Sequence, residues 1–286
     1  IQAVRQKTGG IAEVAMCYTG DIQNPKRTKY NLQYYKQFAK DIENSGAHML
    51  AIKDMSGLLK PWAAYELVSE LKATVNIPIH LHTHDTSSLQ SAMYLKAIEA
   101  GVDAIDCCMG ALSGLTSQPS FNAIAEMMQF HEREQPYNLA QLHQHATYWE
   151  AVREYYYPFE SGLKASSAEV YRHEIPGGQY SNLKPQAASL GLGDKMEDIK
   201  KAYADVNELF GDIVKVTPSS KVVGDMALFM VTNNLTKEDV LQKGANLSFP
   251  ESVVSFFKGD IGQPVGGFEP NLQKIILKDI PPFTAR

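Results

Sequence analysis

Residues 48–85 read HMLAIKDMSGLLKPWAAYELVSELKATVNIPIHLHTHD, and this stretch decides the fold class. It begins with one short β-rich run, HMLAIKDM (48–55), and ends with another, IPIHLHTHD (77–85). Residues 61–74 between them have helical spacing, and Pro61 suits a first helical turn, where its missing N–H costs nothing. A strand, a helix and a second strand joined by short links indicate parallel strands packed against helices.

The same alternation continues on both sides of this unit. Gly46 and Gly101 follow predicted helices, at the position where a helix end favours a left-handed residue. The remaining predicted elements are strands at 13–20 and 104–110, and helices at 31–45, 88–100 and 117–131. Residues 11–131 therefore contain four strand–helix units.

Polar side chains at the predicted strand ends favour a barrel over a doubly wound sheet. No glycine-rich phosphate turn follows any predicted strand, so a dinucleotide-binding sheet has no support. Barrel enzymes carry catalytic residues at the C-terminal ends of several strands. In this sequence polar residues lie inside or at the C-terminal ends of the predicted strands: Tyr18, Thr19, Lys53, Asp54, His80, His82, His84 and Asp85.

A complete barrel of this kind has eight strand–helix units, and half of one would leave two open sheet edges. The N-terminus, IQAVRQKTGG, has neither an initiator Met nor the apolar core of a signal peptide. We therefore predict an α/β fold in which residues 1–137 form the C-terminal half of a (β/α)₈ TIM-type barrel. The other four units are expected upstream, in a longer chain.

From about residue 138 the pattern becomes mainly helical. Helices are predicted at 143–162 and 194–211, and another begins at 220. A loop at 175–183, IPGGQYSNL, and a turn at 216–221, VTPSSK, interrupt them. We predict that residues 138–286 form a mainly helical subdomain that caps the barrel mouth.

The composition argues against two classes of partner. The 27 Lys and Arg residues and 32 Asp and Glu residues give a formal net charge of −5, which provides no basic footprint for nucleic acid. No apolar stretch approaches the roughly 20 residues that cross a bilayer. The three cysteines, at 17, 107 and 108, are a poor disulfide framework. They favour a reducing compartment, and we expect a cytoplasmic protein.

His82 and His84 are the strongest chemical signal in the sequence. Residues two apart in a strand point to the same face, so both imidazoles can reach one metal ion. His80 shares this parity but lies deeper along the strand. We predict that His82 and His84 bind a divalent ion that accepts imidazole, Zn²⁺ or Mn²⁺. The alternative is a set of surface or core histidines.

Lys53 lies inside the predicted strand that precedes these histidines along the chain, in the run LAIKDM. A buried ammonium group tends to lose its proton because burial disfavours the charged form. A neutral amine could then take up CO₂ and become a carbamate, which is a carboxylate-like metal ligand. The alternative is a lysine paired with an acid such as Asp54.

Thr217 lies in KVTPSSK, where Pro218 restricts the backbone of the residue before it. Ser219, Ser220 and Lys221 are expected to open a helix, with a hydroxyl as its N-cap. These groups either bind a small polar ligand or only cap the helix. The glycines of GGQY (177–180) likewise permit a close approach of the backbone to a ligand.

The chain resembles the carboxyltransferase domains of the pyruvate carboxylases, which are biotin-dependent enzymes of the ligase class. The resemblance extends from Glu13 to about Lys278 and rests on several long motifs. They are YTGDI, RTKYNLQYY, IKDMSGLLKP, HLHTHDT, SQPS, HEIPGGQYSNL and KVTPSSKVVGD.

This resemblance implies a function and a set of roles. The reaction is carboxyl transfer from carboxybiotin to pyruvate, which gives oxaloacetate. Lys53 is then the carbamylated ligand beside His82 and His84, and Thr217 relays a proton. Contacts to biotin fall to Gln179, Ser220 and Lys221. The family's remaining metal ligand, an aspartate, and its pyruvate-clamping arginine and glutamine would lie upstream, so the isolated chain is expected to be inactive.

The resemblance also implies partners. Biotin would be carried on a separate carrier domain, with a biotin carboxylase domain in the same polypeptide. A homo-oligomer is expected, with dimers of carboxyltransferase domains and a tetramer overall.

Two alternatives remain open at this stage. The chain could be part of an oxaloacetate decarboxylase or transcarboxylase subunit, because these share the KDM and HTHDT elements. It could instead be a non-catalytic association module, with YYKQF (34–38) and PWAAY (61–65) exposed for that purpose. Those aromatic residues could equally pack inside the barrel.

Overall fold

The computed structural model describes residues 1–283, and the chain divides into two compact units. The first unit is Ile1–Val170 and the second begins at Tyr171. The sequence placed this division at 137/138, about thirty residues earlier. The difference arises because the helix that follows residue 138 packs on the first unit, against the turn Gly110–Leu112 and the helix Phe121–Met127.

The first unit alternates strands and helices. Its elements are α1 (Gln2–Thr8), β1 (Glu13–Cys17), α2 (Leu32–Asn44), β2 (Met49–Asp54), α3 (Pro61–Lys72), β3 (Ile79–Thr83), α4 (Gln90–Glu99), β4 (Ala104–Ile105), α5 (Phe121–Met127) and α6 (Leu139–Tyr156). Pro61 is the first residue of α3, as predicted, and Gly46 and Gly101 adopt positive φ angles after α2 and α4.

The four strands form one parallel sheet in the order β1-β2-β3-β4. The register aligns Cys17 with Lys53 and Lys53 with His82, so the ends of three strands lie side by side. This arrangement confirms the predicted α/β fold with parallel strand–helix units.

The fourth strand is much shorter than the predicted run 104–110. Only Ala104 and Ile105 pair with β3. Beyond them the chain turns into a loop, where Cys108 N–H donates to Pro119 O at 2.9 Å and Phe121 N–H donates to Cys108 O at 2.7 Å. Asp106 N–H still donates to Leu81 O of β3 at 3.2 Å, but the backbone of Cys108 is paired with residues 119–121 instead of with the sheet.

A buried carboxylate fixes the loop after β2. Asp54 is fully buried, and its two oxygens accept the N–H groups of Leu58 and Leu59 at 2.8 and 2.9 Å. The Thr83 hydroxyl of β3 donates to the same carboxylate at 2.9 Å. Burial raises the pKa of Asp54, and these hydrogen bonds oppose the rise. Asp54 thus ties the β2–α3 loop to β3 at the strand ends that carry Lys53 and His82.

Asp54→Ala should destabilise the first unit by roughly 3 kcal/mol, because two buried amides and one hydroxyl lose their acceptor. Thermal or urea unfolding of the chain measures this change. Asp41, exposed on α2, is the matched control, and Asp41→Ala should change the unfolding free energy by less than about 0.5 kcal/mol. Equal effects of the two substitutions would show that the buried network does not contribute.

The second unit is helical. Its elements are α7 (Val170–His173, which starts at the boundary), α8 (Gly177–Ser189), α9 (Met196–Leu209), α10 (Ser219–Thr232), α11 (Lys237–Lys243), α12 (Glu251–Lys258) and α13 (Pro270–Leu277). The core is built on α9 and α10, whose buried residues include Tyr203, Val206, Val223 and Met226. The mainly helical character of this part of the chain is as expected.

The prediction of a loop over 175–183 is wrong. Helix α8 begins at Gly177, directly after the extended residue Pro176, and contains Pro185. Two glycines and a proline are poor helix formers, so local propensity predicts a loop here. The helix forms because Leu183 and Ala187 are fully buried in the core of the second unit, where packing outweighs propensity.

Within residues 1–283, no helix combines the length and the apolar composition that a bilayer crossing requires.

Candidate functional site

The candidate metal-binding residues lie at the C-terminal ends of β2 and β3. His82 is in β3 and His84 follows the strand directly, and the centroids of their rings are 5.2 Å apart. Lys53 is the register partner of His82 on the neighbouring strand and is half-buried. The structure therefore places these three predicted residues next to one another.

Both histidine rings are held through their Nδ1 atoms. His84 Nδ1 lies 2.6 Å from the carbonyl oxygen of Thr116, and His82 Nδ1 lies 2.7 Å from Asp106 Oδ2. A carbonyl oxygen can only accept, so His84 carries its proton on Nδ1 and has a lone pair on Nε2. No residue in the described part of the chain bonds Nε2 of either ring. This is the arrangement of metal-binding histidines, whose other nitrogen is held by a carbonyl or a carboxylate.

The electrostatic surroundings favour the neutral, ligating form of His84. Burial lowers the pKa of His84, and the positive charges of His82 and Lys53 lower it further, although the hydrogen bond to Thr116 opposes them. Beside it, the hydrogen bond from His82 holds the pKa of Asp106 below its usual value.

His80 has a different role, because both of its ring nitrogens are engaged. Nδ1 lies 2.6 Å from Glu13 Oε1 and Nε2 lies 2.9 Å from Asp106 Oδ1. Burial alone would lower the pKa of His80, but the two carboxylates raise it above its usual value. His80 therefore connects Glu13 to Asp106, which in turn holds His82. Glu13 and Asp106 were not among the residues predicted from the sequence. The sequence feature that could have indicated them is an acidic residue at the start of β1 and another just after β4.

Lys53 does not pair with Asp54, the alternative considered from the sequence. Neighbouring residues of a strand point to opposite faces, and Asp54 is bonded to Leu58, Leu59 and Thr83. Among residues 1–283, Lys53 Nζ makes no hydrogen bond or ion pair.

The residues present fit part of a metal site. The two imidazoles and Lys53 lie side by side at the same strand ends. The described residues hold no group of three or more His, Cys, Asp or Glu side chains that could bind a metal ion. A complete ligand set therefore needs either a modified Lys53 or a group from outside the described residues.

The second unit holds the remaining candidates, around the start of α10. Thr217 is exposed, and its hydroxyl has no hydrogen-bond partner among the described residues. Ser219 Oγ lies 2.6 Å from the carbonyl oxygens of both Val214 and Val216, and it accepts from Val216 N–H at 3.1 Å. The expected hydroxyl N-cap is wrong, because Pro218 precedes α10 and no side chain caps the helix. Ser219 instead braces the loop that presents Thr217.

The other predicted residues lie on α8 and α10, which pack against each other. Gln179 is half-buried in the first turn of α8, and its amide nitrogen lies over Gly224 of α10. Ser220 is buried one turn before Gly224. Lys221 is mostly exposed, and its Nζ lies 2.5 Å from Asp225 Oδ2.

Two family models cover most of the chain. Residues 2–148 match the HMGL-like model, and residues 170–286 match the conserved carboxylase domain. The chain belongs to the HMGL-like family. In this family member, the HMGL-like match spans the whole sheet and the conserved carboxylase match spans α8 to α13.

Known relatives agree with both matches. The chain is 58% identical over 286 residues to the pyruvate carboxylase of Bacillus subtilis, covering all of this chain and 25% of that protein. It is 44% identical over 281 residues to the human mitochondrial pyruvate carboxylase, covering 97% of this chain and 24% of that protein. This HMGL-like chain thus spans about a quarter of the length of the curated relatives it matches.

The chain is also similar to solved structures of pyruvate carboxylases. The carboxyl transferase domain of Rhizobium etli pyruvate carboxylase, determined with pyruvate, is 53% identical with a TM-score of 0.97. It is matched over all of this chain and 48% of its own. The complete multifunctional pyruvate carboxylase from the same organism gives the same TM-score over 28% of its chain. The predicted resemblance to carboxyltransferase domains and the barrel-type fold class are confirmed.

Proposed function

We propose that this chain is part of the carboxyltransferase component of a biotin-dependent pyruvate carboxylase. The enzyme would transfer a carboxyl group from carboxybiotin to pyruvate and form oxaloacetate. The observation that carries the proposal is the strand-end set: among residues 1–283, the Nε2 atoms of His82 and His84 and the ammonium group of neighbouring Lys53 have no bonding partner. The relatives described above are pyruvate carboxylases, which favours pyruvate over the decarboxylase and transcarboxylase alternatives.

Lys53 becomes a metal ligand in this proposal by reacting with CO₂. The ammonium group first loses a proton to solvent, and the neutral amine then attacks the carbon atom of CO₂. A C–N bond forms while one C–O π bond becomes a lone pair on oxygen, and a second proton leaves to solvent. The product is a carbamate with a negative charge, which replaces a cation that would repel a metal ion. Lys53, His82 and His84 would hold a divalent ion, Zn²⁺ or Mn²⁺. When bound, the ion supplies Lewis-acid polarisation of the substrate carbonyl.

Thr217 is the proposed proton relay. Its hydroxyl accepts a proton from the methyl group of pyruvate and delivers its own proton to a biotin ring nitrogen, which is general acid–base catalysis. An exposed hydroxyl without a partner among the described residues is free to make both contacts. Gln179, Ser220 and Lys221 would hold the ureido group, with the Lys221 ammonium directed at its oxygen.

The share of the relatives that the chain covers supports the proposal of further domains in the same protein. Biotin carrier and biotin carboxylase domains are proposed in the same polypeptide, in a homo-oligomer built from carboxyltransferase dimers.

The aromatic residues considered for association differ in their exposure to solvent. Tyr35 is buried, whereas Trp62 is 66% exposed and Tyr65 is 46% exposed. The capping role of residues 138–286 and a cytoplasmic location stay predictions.

The acceptor is tested by following the carboxyl group. The intact carboxylase is supplied with labelled bicarbonate, ATP and pyruvate, and the label should appear in oxaloacetate only when pyruvate is present. Label in a different acceptor, or none in oxaloacetate, would remove the proposed reaction.

Asp106→Ala in the intact carboxylase should weaken metal binding by about 10–100-fold, the usual effect of losing a group that orients a metal-binding histidine. Competition with a chelator, followed by elemental analysis, measures it. Asp103, a partly exposed aspartate three residues earlier that pairs with Lys72, is the control. Asp103→Ala should leave the metal content unchanged, and equal losses in both variants would refute the specific role of Asp106.

A further inference from the structure

Side chains of helix α8 lie directly over Gly224 of α10. A Cβ atom built on Gly224 would lie 2.6 Å from Gln179 Nε2, closer than real Cβ atoms come to a neighbour. It would lie 3.6 Å from the carboxamide carbon of Gln179 and 3.6 Å from Leu183 Cδ1. The end of the Gln179 side chain therefore occupies the space that a side chain at position 224 would need.

Nothing in the backbone of α10 requires a glycine at this position. Gly224 is buried in the middle of the helix and does not have a positive φ angle. Glycine in a helix interior is less stable than alanine by roughly 1 kcal/mol. What a glycine provides at position 224 is therefore room for the Gln179 side chain and not a special backbone conformation.

This space lies beside two of the proposed biotin contacts. Residues three and four apart on a helix are neighbours on its surface, so Lys221 and Ser220 adjoin Gly224. Lys221 is itself held, because Asp225 Oδ2 lies 2.5 Å from its Nζ and accepts the Ser252 hydroxyl of α12 at 2.6 Å.

We infer that Gly224 is a positioning residue: the space over its Cα sets the Gln179 carboxamide beside Ser220 and Lys221. This inference rests on the proposed function, since it deepens the biotin contact assigned to Gln179. An added methyl group would meet the flexible end of Gln179 and not the backbone. Gly224→Ala should therefore displace the carboxamide without unfolding the helix.

The test uses the intact carboxylase and biocytin as the probe. Calorimetric titration gives the dissociation constant for wild type, Gly224→Ala, Gln179→Ala and the double variant. Each single substitution should weaken biocytin binding by about three- to tenfold, as expected for one hydrogen bond. The double variant should be no weaker than Gln179→Ala, because both changes remove the same contact. The thermal midpoint of Gly224→Ala should be unchanged or raised.

Gly193 is the control glycine. It follows α8, is exposed and does not have a positive φ angle, and a Cβ atom there would make only ordinary contacts with Ala188 at 3.7 and 3.8 Å. Gly193→Ala should therefore bind biocytin like wild type. If Gly224→Ala keeps wild-type affinity while Gln179→Ala loses it, the inference is wrong and the biotin contact stands. If Gly224→Ala weakens binding equally with and without Gln179, it acts by another route and the inference is also wrong. Unchanged affinity in Gln179→Ala would overturn the proposed contact itself, and the inference with it.

Discussion

Replacement of Lys53 by arginine should abolish carboxyl transfer to pyruvate in the intact carboxylase. Guanidinium stays cationic and cannot form a carbamate, so the substitution puts a permanent positive charge beside His82, its register partner. We expect less than a few per cent of the wild-type rate of oxaloacetate formation, together with loss of the bound metal. Bicarbonate-dependent ATP hydrolysis, which reports biotin carboxylation on its own domain, should be nearly unchanged.

Lys60→Arg is the control for the Lys53 experiment. Lys60 lies in the same β2–α3 segment but forms an ion pair with Asp21 at 2.7 Å, an interaction that arginine can keep. The Lys60→Arg enzyme should retain the wild-type rate of carboxyl transfer and the wild-type metal content. Substantial activity in the Lys53→Arg enzyme would mean that Lys53 is not a ligand.

Thr217→Ala should slow oxaloacetate formation by roughly 10²–10⁴-fold, the usual contribution of a positioned acid–base group. Thr217→Ser keeps the hydroxyl and should retain measurable turnover. Stability should hardly change in either variant, because Thr217 is exposed and Ser219, two residues later, braces the loop. An effect within about 0.5 kcal/mol is expected from an exposed position without partners.

A second threonine separates the mechanistic role from a structural one. Thr236 caps α11 by accepting the N–H of Asp239. Thr236→Ala should lower the free energy of unfolding by about 1 kcal/mol without changing the rate per folded enzyme. Near-normal turnover in Thr217→Ala would remove Thr217 from the mechanism and leave the metal site as the remaining chemistry.

Elements with a clear period could be predicted closely from the sequence. The ends of β1, β2 and β3 fall inside the predicted runs, and α3 begins at the predicted Pro61. These elements are specified locally, by alternation, helical spacing and proline chemistry. The extent of β4 could not be predicted from the sequence. Cys108 leaves the sheet because its backbone pairs with residues 119–121, which are more than ten positions further along the chain. Helix α8 was missed for a similar reason, since burial of Leu183 and Ala187 overrides two glycines and a proline.

The candidate site shows the same limit. Strand parity was enough to place His82 and His84 on one face, and the resemblance supplied the role of Lys53. The groups that orient the two rings could not be predicted, because Asp106 and the Thr116 carbonyl come from later segments that the fold brings to β3. The bracing role of Ser219 was missed because one hydroxyl can either cap a helix or bond the preceding loop.

The Asp54 carboxylate has a consequence for the dynamics of the segment beside Lys53. The amide hydrogens of Leu58 and Leu59 lie in a loop, yet both are buried and bonded to a fully buried oxygen. They can exchange with solvent only when that buried network opens, so their protection should follow the sheet and not the surface loops. We therefore expect the loop after β2 to open only together with the strands that hold it, so that the segment beside Lys53 is as stable as the sheet.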